Sequence, residues 1–518
     1  MYIDNLGYLP EIGYRLSPDK VAIVQGDVAL TFGELDGRCN RVANGLIGLG
    51  VGMGERVALL FPNDYRYVES LLGTMRAGAV AVPVNIRLGY ESLRHVVADS
   101  DARVLIAAKE LVEVAERLAD DVPAVECLVA EGSRHRRAVG YEGWLAGASA
   151  SRPNVRTGPD DLCLLPYTSG STGLPKGVRL HHAGQIHNAD AMRRIFLLGP
   201  DERALIAVPL YHANGLCGAL LPFLLAGASV VILPGFDGVA VIEAIDRHRC
   251  TYTTGVPAMY KLVLRERAAL ARSDLSSIRF LACGSAPVSV ELIEQLGRTF
   301  PGAAIVESYG LTEGGPVVAV GPRWGIRKPG STGLLLPDVE ARVVDADGVS
   351  DLGAEEIGEL WVRSPGNALG YHKLPDVTAA RFTPDGWLQT GDLMKVDSDG
   401  YYYFLGRRDD MINCGGENVY PKEVETILIQ HPDIVDACVV AAPHELKGEA
   451  PVAFVVPRDP AVADADALKA FFLGRGPAYA HPRRITFLEQ LPLTGAGKLD
   501  RAALAKQARE AALSTLPT

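Results

Sequence analysis

The chain has 518 residues, a length that suggests several domain-sized units. Hydrophobic residues make up 48% of the sequence and charged residues 22%, which is enough apolar material for large buried cores and argues against extensive disorder. The formal net charge is −11, from 51 Lys and Arg against 62 Asp and Glu, and this acidic balance argues against a nucleic-acid-binding surface. We therefore expect a soluble, mixed α/β protein.

Eight cysteines are scattered along the chain without a CxxC pair or regular spacing. Because they are dispersed singly rather than paired, we predict reduced core residues rather than disulfides or zinc ligands. The first residues carry acids and prolines and no apolar stretch of signal-peptide length. These features predict a cytoplasmic protein.

The segment 213–236 contains no charged residue and is long enough to span a bilayer. However, Pro222 and Gly227 interrupt it, and 229–233 has the composition of a strand. We predict a buried helix, a tight turn and a buried parallel strand, and no membrane span.

Strands and helices alternate through the N-terminal part. Gly26-Asp27 predicts a hairpin, and Thr31 and Glu34 have the spacing of a capping box at the start of a helix. A further helix is predicted over 65–75. The other predicted strands are 57–61, 79–82, 104–107, 162–165, 205–208, 230–233, 252–254 and 279–282. This alternation predicts an α/β fold with parallel sheets flanked by helices.

The pattern changes after about residue 330. Short, turn-bounded strands at 339–344, 358–362 and 400–405 predict a small β-rich subdomain over 330–406, which completes a large N-terminal domain over 1–406. Beyond it, Pro421 opens a helix, and 435–441 and 452–456 are predicted strands. The segment 411–518 is thus predicted to be a small α+β domain.

The most informative motif is Tyr167-Thr-Ser-Gly-Ser-Thr-Gly-Leu-Pro-Lys176-Gly177, directly after a predicted strand. Its glycines let backbone N–H groups approach an anion, its hydroxyls add donors, and Lys176 adds a positive charge. The spacing differs from a Walker A loop, in which Ser or Thr follows the lysine. We interpret the motif as a phosphate-binding loop.

Four further segments contain residues that could act together with this loop in one binding site. Tyr309-Gly-Leu-Thr-Glu313 combines a ring suited to stacking on a base with a carboxylate suited to Mg²⁺. Asp392, in a Thr-Gly-Asp sequence that is common in turns, could bind ribose hydroxyls. Gly406-Arg-Arg-Asp-Asp410 lies at the predicted domain boundary, and Pro492-Leu-Thr-Gly-Ala-Gly-Lys498 places a lysine after a glycine-rich loop.

Together, and in this order, these motifs resemble those of the adenylate-forming superfamily, and the similarity extends from about Leu30 to Arg501. The segments PLYHANG, GSAPV, YGLTEGGP and GGENVYP are most similar to bacterial carboxylate–CoA ligases. The resemblance implies that a carboxylate reacts with ATP to give acyl-AMP and pyrophosphate, after which the CoA thiol displaces AMP. It also implies a C-terminal domain that rotates between these half-reactions about a hinge at 407–410, at Asp409.

The resemblance assigns roles to individual residues. Catalytic roles fall on Lys498, Glu313, Thr312 and His212, with Glu313 holding Mg²⁺. ATP and AMP would be bound by Thr168, Ser169, Gly170, Ser171, Thr172, Gly173, Lys176, Ser285, Ala286, Ser308, Tyr309, Gly310, Thr312, Asp392, Arg407 and Lys498. CoA would pass Gly415 and Gly416. The acyl pocket would be lined by His212, Asn214, Gly218, Ser308, Pro316 and Val317.

One position departs from the family pattern. Many relatives have a basic residue that meets the 3′-phosphate of CoA where this chain has Gly235. Either other cations bind CoA, or the acceptor is not CoA, as in an enzyme that loads the thiol of a carrier protein. A separate alternative is a nucleotide-binding regulator without catalysis. The sequence does not determine the acid, which could be aromatic, branched, hydroxylated or of medium chain length, and it does not determine the oligomeric state.

Overall fold

The strand–helix alternation of the sequence forms several β-sheets in the computed structural model, which describes residues 3–168, 174–284, 288–415, 417–493 and 499–513. The chain divides into two units. The first consists of Met1–Ala341 and Val362–Leu388, and the second of Arg342–Trp361 and Gln389–Thr518. The chain therefore passes between the units more than once before its C-terminal part.

The strands of the first unit are β1 (Val21–Gln25), β2 (Val28–Thr31), β3 (Arg56–Leu60), β4 (Val80–Pro83), β5 (Ala102–Ala107), β6 (Cys127–Ala130), β7 (Ala138–Val139), β8 (Leu162–Leu164), β9 (Tyr167–Thr168), β10 (Lys176–Gly177), β11 (Leu180–His181), β12 (Arg203–Ile206), β13 (Ser229–Ile232), β14 (Tyr252–Gly255), β15 (Phe280–Gly284), β16 (Ala304–Gly310), β17 (Val317–Val320) and β18 (Leu334–Leu335).

Its helices are α1 (Glu11–Leu16), α2 (Phe32–Gly48), α3 (Tyr65–Arg76), α4 (Tyr90–Asp99), α5 (Val112–Asp121), α6 (Tyr141–Gly147), α7 (His182–Ile195), α8 (Ala213–Gly215), α9 (Leu221–Leu225), α10 (Gly238–His248), α11 (Pro257–Arg265), α12 (Arg267–Arg272), α13 (Val290–Thr299) and α14 (Pro375–Arg381). Most of them follow a strand and return the chain to the next one.

Two large sheets organise the first unit. One has the strand order β18-β17-β16-β15-β14-β12-β13-β1-β2, and its strands from β16 to β1 are parallel. The other has the order β11-β8-β4-β3-β5-β6-β7 and is parallel from β8 to β7. Antiparallel strands lie at both edges of the first sheet and at one edge of the second. The predicted parallel sheets are confirmed, and so is the predicted hairpin at Gly26-Asp27, which joins β1 to the antiparallel edge strand β2. The sequence pattern did not indicate the other antiparallel edges.

Helix α3 lies between the two sheets, because it contacts β1 of the first and β3 and β4 of the second, and α2 packs against α3 and β1. The first turn of α2 is fixed by the predicted capping box: Thr31 Oγ1 accepts a hydrogen bond from the Glu34 amide, and the Glu34 carboxylate accepts one from the Thr31 amide. The central strands β4, β13 and β14 are buried along their whole length, as expected for sheets covered on both faces.

The uncharged segment 213–236 is folded as predicted, into helix, turn and buried strand. Its helical part is not regular, because a π-helical turn over Leu216–Leu220 separates α8 from α9 and brings Pro222 to the start of α9. Gly227 then takes a positive φ of 67° and leads into β13. None of the helices in the described ranges is long and apolar enough to cross a membrane.

The strands that lie wholly or mostly in the second unit are β19 (Glu340–Val344), β20 (Gly358–Arg363), β21 (Leu388–Val396), β22 (Tyr402–Arg407), β23 (Ile412–Cys414), β24 (Glu417–Val419), β25 (Ile434–His444), β26 (Gly448–Pro457) and β27 (Arg484–Phe487). Its helices are α15 (Pro421–Ile429), α16 (Ala465–Leu473) and α17 (Arg501–Leu513). Strands β19 to β22 form one sheet in chain order, in which β21 and β22 are antiparallel. A second sheet has the order β24-β23-β26-β25, with β27 pairing in parallel on β26.

The second sheet of this unit is covered on both faces. One core contains Val424 and Leu428 from α15 and Phe472 from α16, and the other contains Leu504 and Ala508 from α17. The predicted helix at Pro421 and the two predicted strands after it are confirmed.

The cysteines are reduced, and all are buried except Cys127, which is partly exposed. Burial raises the thiol pKa of Cys39, Cys217, Cys250 and Cys438 to about 12. Thiols in such surroundings are protonated and unreactive near neutral pH, as the sequence predicts for core residues.

Candidate active site

Several of the predicted site residues lie at the carboxyl ends of parallel strands in the nine-stranded sheet. Ser308 and Tyr309 are near the end of β16, and Ser308 is in register with Gly284 at the end of β15. The segment that contains His212 and Asn214 follows β12. Ligands of open α/β sheets bind at this edge, so the fold gathers these residues where a nucleotide and an acid could meet.

The two ends of the phosphate-binding loop are held together by a short antiparallel ladder. Thr168 in β9 pairs with Lys176 in β10, and Tyr167 pairs with Gly177. A Cβ at position 177 would approach the Tyr167 ring to 3.0 Å, so the two strands lie close together there. Ser169, Gly170, Ser171, Thr172 and Gly173, which complete the predicted loop, lie outside the described residues.

Tyr167 anchors this ladder to the rest of the unit. Its hydroxyl donates a hydrogen bond of 2.6 Å to the Asp99 carboxylate at the end of α4. Burial, together with that carboxylate, raises the pKa of Tyr167, so the side chain remains a neutral donor. The residues at both ends of the predicted loop are therefore held in place, by the ladder between β9 and β10 and by the hydrogen bond from Tyr167 to Asp99.

Thr312 and Glu313 form a 3₁₀ turn, Thr312–Gly314, directly after β16. The Glu313 carboxylate accepts a hydrogen bond of 2.8 Å from the Tyr371 hydroxyl. Tyr309 is buried, with 9% of its surface exposed. The motif thus starts inside a strand and ends in a turn that fixes the carboxylate.

The chain reverses directly after this turn. Ser308, Tyr309 and Gly310 pair with β17, and a Cβ on Gly310 would lie only 2.0 Å from the Pro316 carbonyl oxygen. From α7, Gln185 Nε2 donates to the Gly315 carbonyl at 3.0 Å, and Asn188 Nδ2 donates to that of Val317 at 2.9 Å. Two of the predicted acyl-pocket residues, Pro316 and Val317, therefore lie in the reversed chain segment, whose backbone is held by hydrogen bonds from α7.

The other predicted acyl-pocket residues precede or lie in the irregular helical segment. His212 caps α8, Asn214 lies within it, and Gly218 is in the π-helical turn. The Thr254 hydroxyl contacts Asn214 Oδ1 at 2.6 Å, and the Tyr252 hydroxyl donates to the Gly218 carbonyl at 2.9 Å. Side chains of β14 thus fix the position of Asn214 and Gly218.

The residues present suit a Mg²⁺ ion that arrives with ATP. In the part of the chain that the structure describes, no group of three or more His, Cys, Asp or Glu side chains could hold a metal. Magnesium bound with a nucleotide commonly takes one or two carboxylates and completes its shell with phosphate oxygens and water. A single carboxylate, Glu313, meets that requirement.

In the second unit, Asp392 and Arg407 lie directly opposite each other on β21 and β22. Their side chains form an ion pair of 2.8 Å, in which the Asp392 side chain is 6% exposed and that of Arg407 is 42% exposed. The Thr-Gly-Asp sequence, common in turns, lies inside a strand here. Gly391 has a φ of 71°, and its amide donates to Glu359 Oε1 at 2.8 Å.

Asp409 lies in the 3₁₀ turn Arg408–Asp410, which follows β22 directly. Arg408 is held by an ion pair of 2.7 Å with Glu359. Gly415 has a φ of 68°, and its amide donates to the Lys447 carbonyl at 3.0 Å. The predicted hinge is therefore a single turn between two strands of the second unit.

The segment with the C-terminal lysine is held at both ends. Leu493 and Leu499 form an antiparallel bridge, and the Asp500 amide donates to the Pro492 carbonyl at 2.8 Å. The predicted site residues Ser285, Ala286, Gly416 and Lys498 lie outside the described residues, so the structure places only the flanks of this loop.

Gly235 lies in an exposed turn, and a Cβ there would meet nothing within 4 Å. Sequence reasoning missed Tyr371, Gln185 and Asn188. The two α7 side chains could have been noticed as polar residues on the buried side of a helix. No sequence pattern identified Tyr371 as a site residue, because it is remote from Glu313 in the sequence and belongs to none of the motifs.

The AMP-binding enzyme family matches residues 14–372, and the AMP-binding enzyme C-terminal domain matches residues 423–498. A feruloyl-CoA synthase of Amycolatopsis sp. is 40% identical over 504 residues, which are 96% of this chain and 97% of that protein. An indoleacetate–CoA ligase of Aromatoleum aromaticum is 35% identical over 93% of this chain and 94% of that protein. The crystal structure of the anthranilate CoA ligase AuaEII in complex with anthranoyl-AMP has a TM-score of 0.91 and 30% identity, covering 98% of both chains.

The chain belongs to the AMP-binding enzyme family. The family predicted from the motifs is confirmed, and so are the fold class and the enzyme class, an acid–thiol ligase that forms AMP. The roles of the individual site residues, the limits of the C-terminal domain and its rotation stay predictions.

Proposed function

We propose that the protein joins an aromatic carboxylic acid to coenzyme A in two steps through an enzyme-bound acyl-AMP. The observation that carries this proposal is the clustering of the nucleotide and acyl-pocket motifs at the carboxyl ends of β12, β15 and β16. The similarity to three CoA ligases whose names specify aromatic acids supports the choice of acid.

In the first step, a carboxylate oxygen attacks the α-phosphorus of ATP, the new P–O bond forms, and the bond to pyrophosphate breaks. The reacting groups are all anions, and two unit charges about 4 Å apart repel by roughly 4 kcal/mol at an effective dielectric near 20. Lys176 and Lys498 supply the positive charge that offsets this repulsion. Mg²⁺, when bound with ATP, neutralises phosphate charge, and Glu313 would hold it.

The remaining first-unit residues orient the reactants. The hydroxyl of Thr312 contacts the α-phosphate, Tyr309 stacks on adenine, and the loop from Thr168 to Lys176 binds the departing pyrophosphate. In the second unit, Asp392 and Arg407 bind the ribose. The ladder between β9 and β10 supports this assignment, because it presents Thr168 and Lys176 side by side at the base of the loop.

In the second step, the CoA thiol loses its proton to water and its sulfur attacks the acyl carbon. The thioester bond forms, the bond from that carbon to the phosphate oxygen breaks, and AMP leaves with the electron pair. A thiol needs an open path to that carbon, and Gly415 and Gly416 provide it because a side chain there would obstruct pantetheine. We propose that residues 411–518 rotate about Asp409 between the steps, as one part of the second unit. The scattered reduced cysteines support the predicted cytoplasmic location.

The experiment is ATP–pyrophosphate exchange across a panel of acids, followed by addition of CoA. Exchange that requires an aromatic acid, with thioester formation on adding CoA, is the expected result. Exchange without transfer to CoA would favour carrier-protein loading, and ATP binding without exchange would favour a regulator.

The C-terminal lysine allows the two steps to be separated. We expect Lys498→Ala to lower exchange by about 10²–10³-fold, the usual cost of losing one preorganised charge-stabilising donor. The same variant should form thioester from presynthesised acyl-AMP at nearly the wild-type rate. Lys506→Ala, which removes an exposed lysine from α17 in the same unit, is the matched control. Equal losses in both steps would contradict the assignment.

The acyl pocket is tested at Gly218. A Cβ at this position would meet only Asn214 Oδ1, at 3.6 Å, so a side chain can begin there without a close contact and would extend into the proposed pocket. We expect Gly218→Val to lower kcat/KM for aromatic acids much more than for acetate or propionate. Gly297→Val, at an exposed helical glycine of α13, controls for the effect of valine on a helix.

A further inference from the structure

A short segment, residues 368–372, contacts both of the loops that are proposed to handle phosphates. We call it the brace. At its start, the Ala368 amide donates a hydrogen bond of 2.8 Å to the Glu313 carbonyl. Further along, the Tyr371 hydroxyl donates to Glu313 Oε1, also at 2.8 Å. The brace therefore fixes Glu313 through its backbone and through its carboxylate.

The other edge of the brace pairs with the chain that leaves the phosphate-binding loop. Val178 and Tyr371 form an antiparallel bridge, and the Leu369 amide donates to the Arg179 carbonyl at 2.9 Å. The His372 amide donates to the Gly177 carbonyl at 2.8 Å. Because Lys176 is the neighbour of Gly177, the brace joins the lysine end of the loop to Glu313 within a few residues.

Tyr371 has little freedom to move in this arrangement. Only 7% of its surface is exposed, and its ring meets that of Phe382 edge to face at 6.3 Å. Its amide donates to Thr378 Oγ1 at 2.9 Å. The preceding residue, Gly370, has a φ of 106°, and a Cβ there would approach Thr378 Cγ2 to 2.3 Å, so the backbone at Tyr371 is closely constrained.

We propose that Tyr371 is a positioning residue for the metal-binding carboxylate. A neutral hydroxyl that donates to Oε1 keeps the full negative charge of Glu313 and fixes the rotation of its carboxylate group. Within the described residues, the Tyr371 hydroxyl is the hydrogen-bond donor to this carboxylate, which leaves Oε2 for a cation. This inference rests on the proposed role of Glu313 and adds a residue that the family resemblance did not assign.

The test measures metal binding directly. Mn²⁺ is titrated in the presence of ATP and without any organic acid, and the free ion is followed by its electron paramagnetic resonance signal. We expect Tyr371→Phe to raise the apparent dissociation constant for Mn²⁺ about tenfold, the usual cost of removing a hydrogen bond to a charged group. In pyrophosphate exchange, the same variant should need more Mg²⁺ for half-maximal rate while keeping most of its kcat.

Tyr90→Phe is the matched control, because it also removes a tyrosine–carboxylate hydrogen bond, of 2.6 Å to Asp121, at a site remote in sequence from the motifs. It should bind Mn²⁺ as tightly as the wild type. A Tyr371→Phe variant with unchanged Mn²⁺ affinity would overturn the proposal.

A double-mutant cycle separates positioning from a structural effect. If Tyr371 acts through Glu313, then Tyr371→Phe should change Mn²⁺ binding little further in the Glu313→Gln background. Additive effects of the two substitutions would show that Tyr371 acts in another way and would overturn the proposal. The metal titration requires no catalysis, so it is interpreted separately from the exchange assay that tests the proposed function.

Discussion

Asp392 and Arg407 face each other across neighbouring antiparallel strands, and their side chains are 2.8 Å apart. The pair is asymmetric, because the carboxylate is nearly buried while the guanidinium is partly exposed. A buried carboxylate is costly to desolvate unless a cation compensates for it. Arg407 therefore stabilises the carboxylate while part of its own side chain stays exposed to solvent.

We expect Arg407→Ala to raise the KM for ATP at least about tenfold, because it removes charge-assisted hydrogen bonds and leaves Asp392 without its ion pair. Initial rates of pyrophosphate exchange at varied ATP concentration measure this change. Lys395→Ala is the control, since it breaks an ion pair of 2.6 Å with Glu355 in the same unit. A similar rise in KM for both variants would contradict a role in nucleotide binding.

The proposed hinge makes a prediction about backbone freedom. Proline fixes φ near −65°, so we expect Asp409→Pro to prevent the torsional change that rotation requires. Pyrophosphate exchange should be retained, whereas thioester formation from acyl-AMP and CoA should fall by about tenfold or more. Asp409→Ala keeps the backbone free and should resemble the wild type in both assays. Unimpaired CoA transfer in the proline variant would locate the hinge elsewhere.

The exposed turn at Gly235 allows a gain-of-function test. If the 3′-phosphate of CoA lacks a partner at this position, Gly235→Lys should lower the KM for CoA by about fivefold, the scale of one exposed ion pair. The KM for 3′-dephospho-CoA should not change. Gly143→Lys adds the same charge to an exposed helical position in the first unit and is the control. An equal effect on CoA and 3′-dephospho-CoA would contradict this role.

His182 predicts a specific pH dependence of stability. Its side chain is fully buried, and Nδ1 accepts a hydrogen bond of 2.9 Å from the Leu6 amide. Burial lowers the pKa of His182 to about 4, below its value near 6.5 in the unfolded chain. The unfolded state therefore binds the extra proton first, so the protein loses stability as pH falls from about 6.5 to 4, by at most roughly 3 kcal/mol for this residue.

Urea unfolding at pH 7.5 and at pH 4.5 measures this loss. We expect His182→Gln, which retains an acceptor for the Leu6 amide, to show a smaller decrease in its unfolding midpoint than the wild type. His444→Gln changes a half-buried histidine whose Nδ1 also accepts a backbone hydrogen bond, and it is the control. Equal pH dependence in wild type and His182→Gln would contradict the prediction.

The sequence predicted those features that depend on local pattern. The capping box at Thr31 is confirmed because its two hydrogen bonds lie within a single turn. The strand at 162–165 and the helix at Pro421 were likewise found from apolar runs and from proline at a helix start. The motif from Tyr309 to Glu313 was recognised because its residues are adjacent in the chain.

Features that depend on distant pairing were not predictable in this way. Apolar periodicity identifies β1 and β3 as strands but does not indicate that they belong to different sheets. The Thr-Gly-Asp sequence has turn composition, yet it continues a strand because Gly391 tolerates a positive φ and Glu359 accepts its amide. Tyr371 is 58 residues from Glu313, and only the folded chain brings their side chains together.

The buried cysteines determine how the second half-reaction can be monitored. Because the thiols of Cys39, Cys217, Cys250 and Cys438 are enclosed and protonated, a chromogenic disulfide reagent such as DTNB should react with the native enzyme slowly and mainly at Cys127. Disappearance of free coenzyme A sulfhydryl can then be recorded by absorbance against a small, constant protein background, without replacing any cysteine.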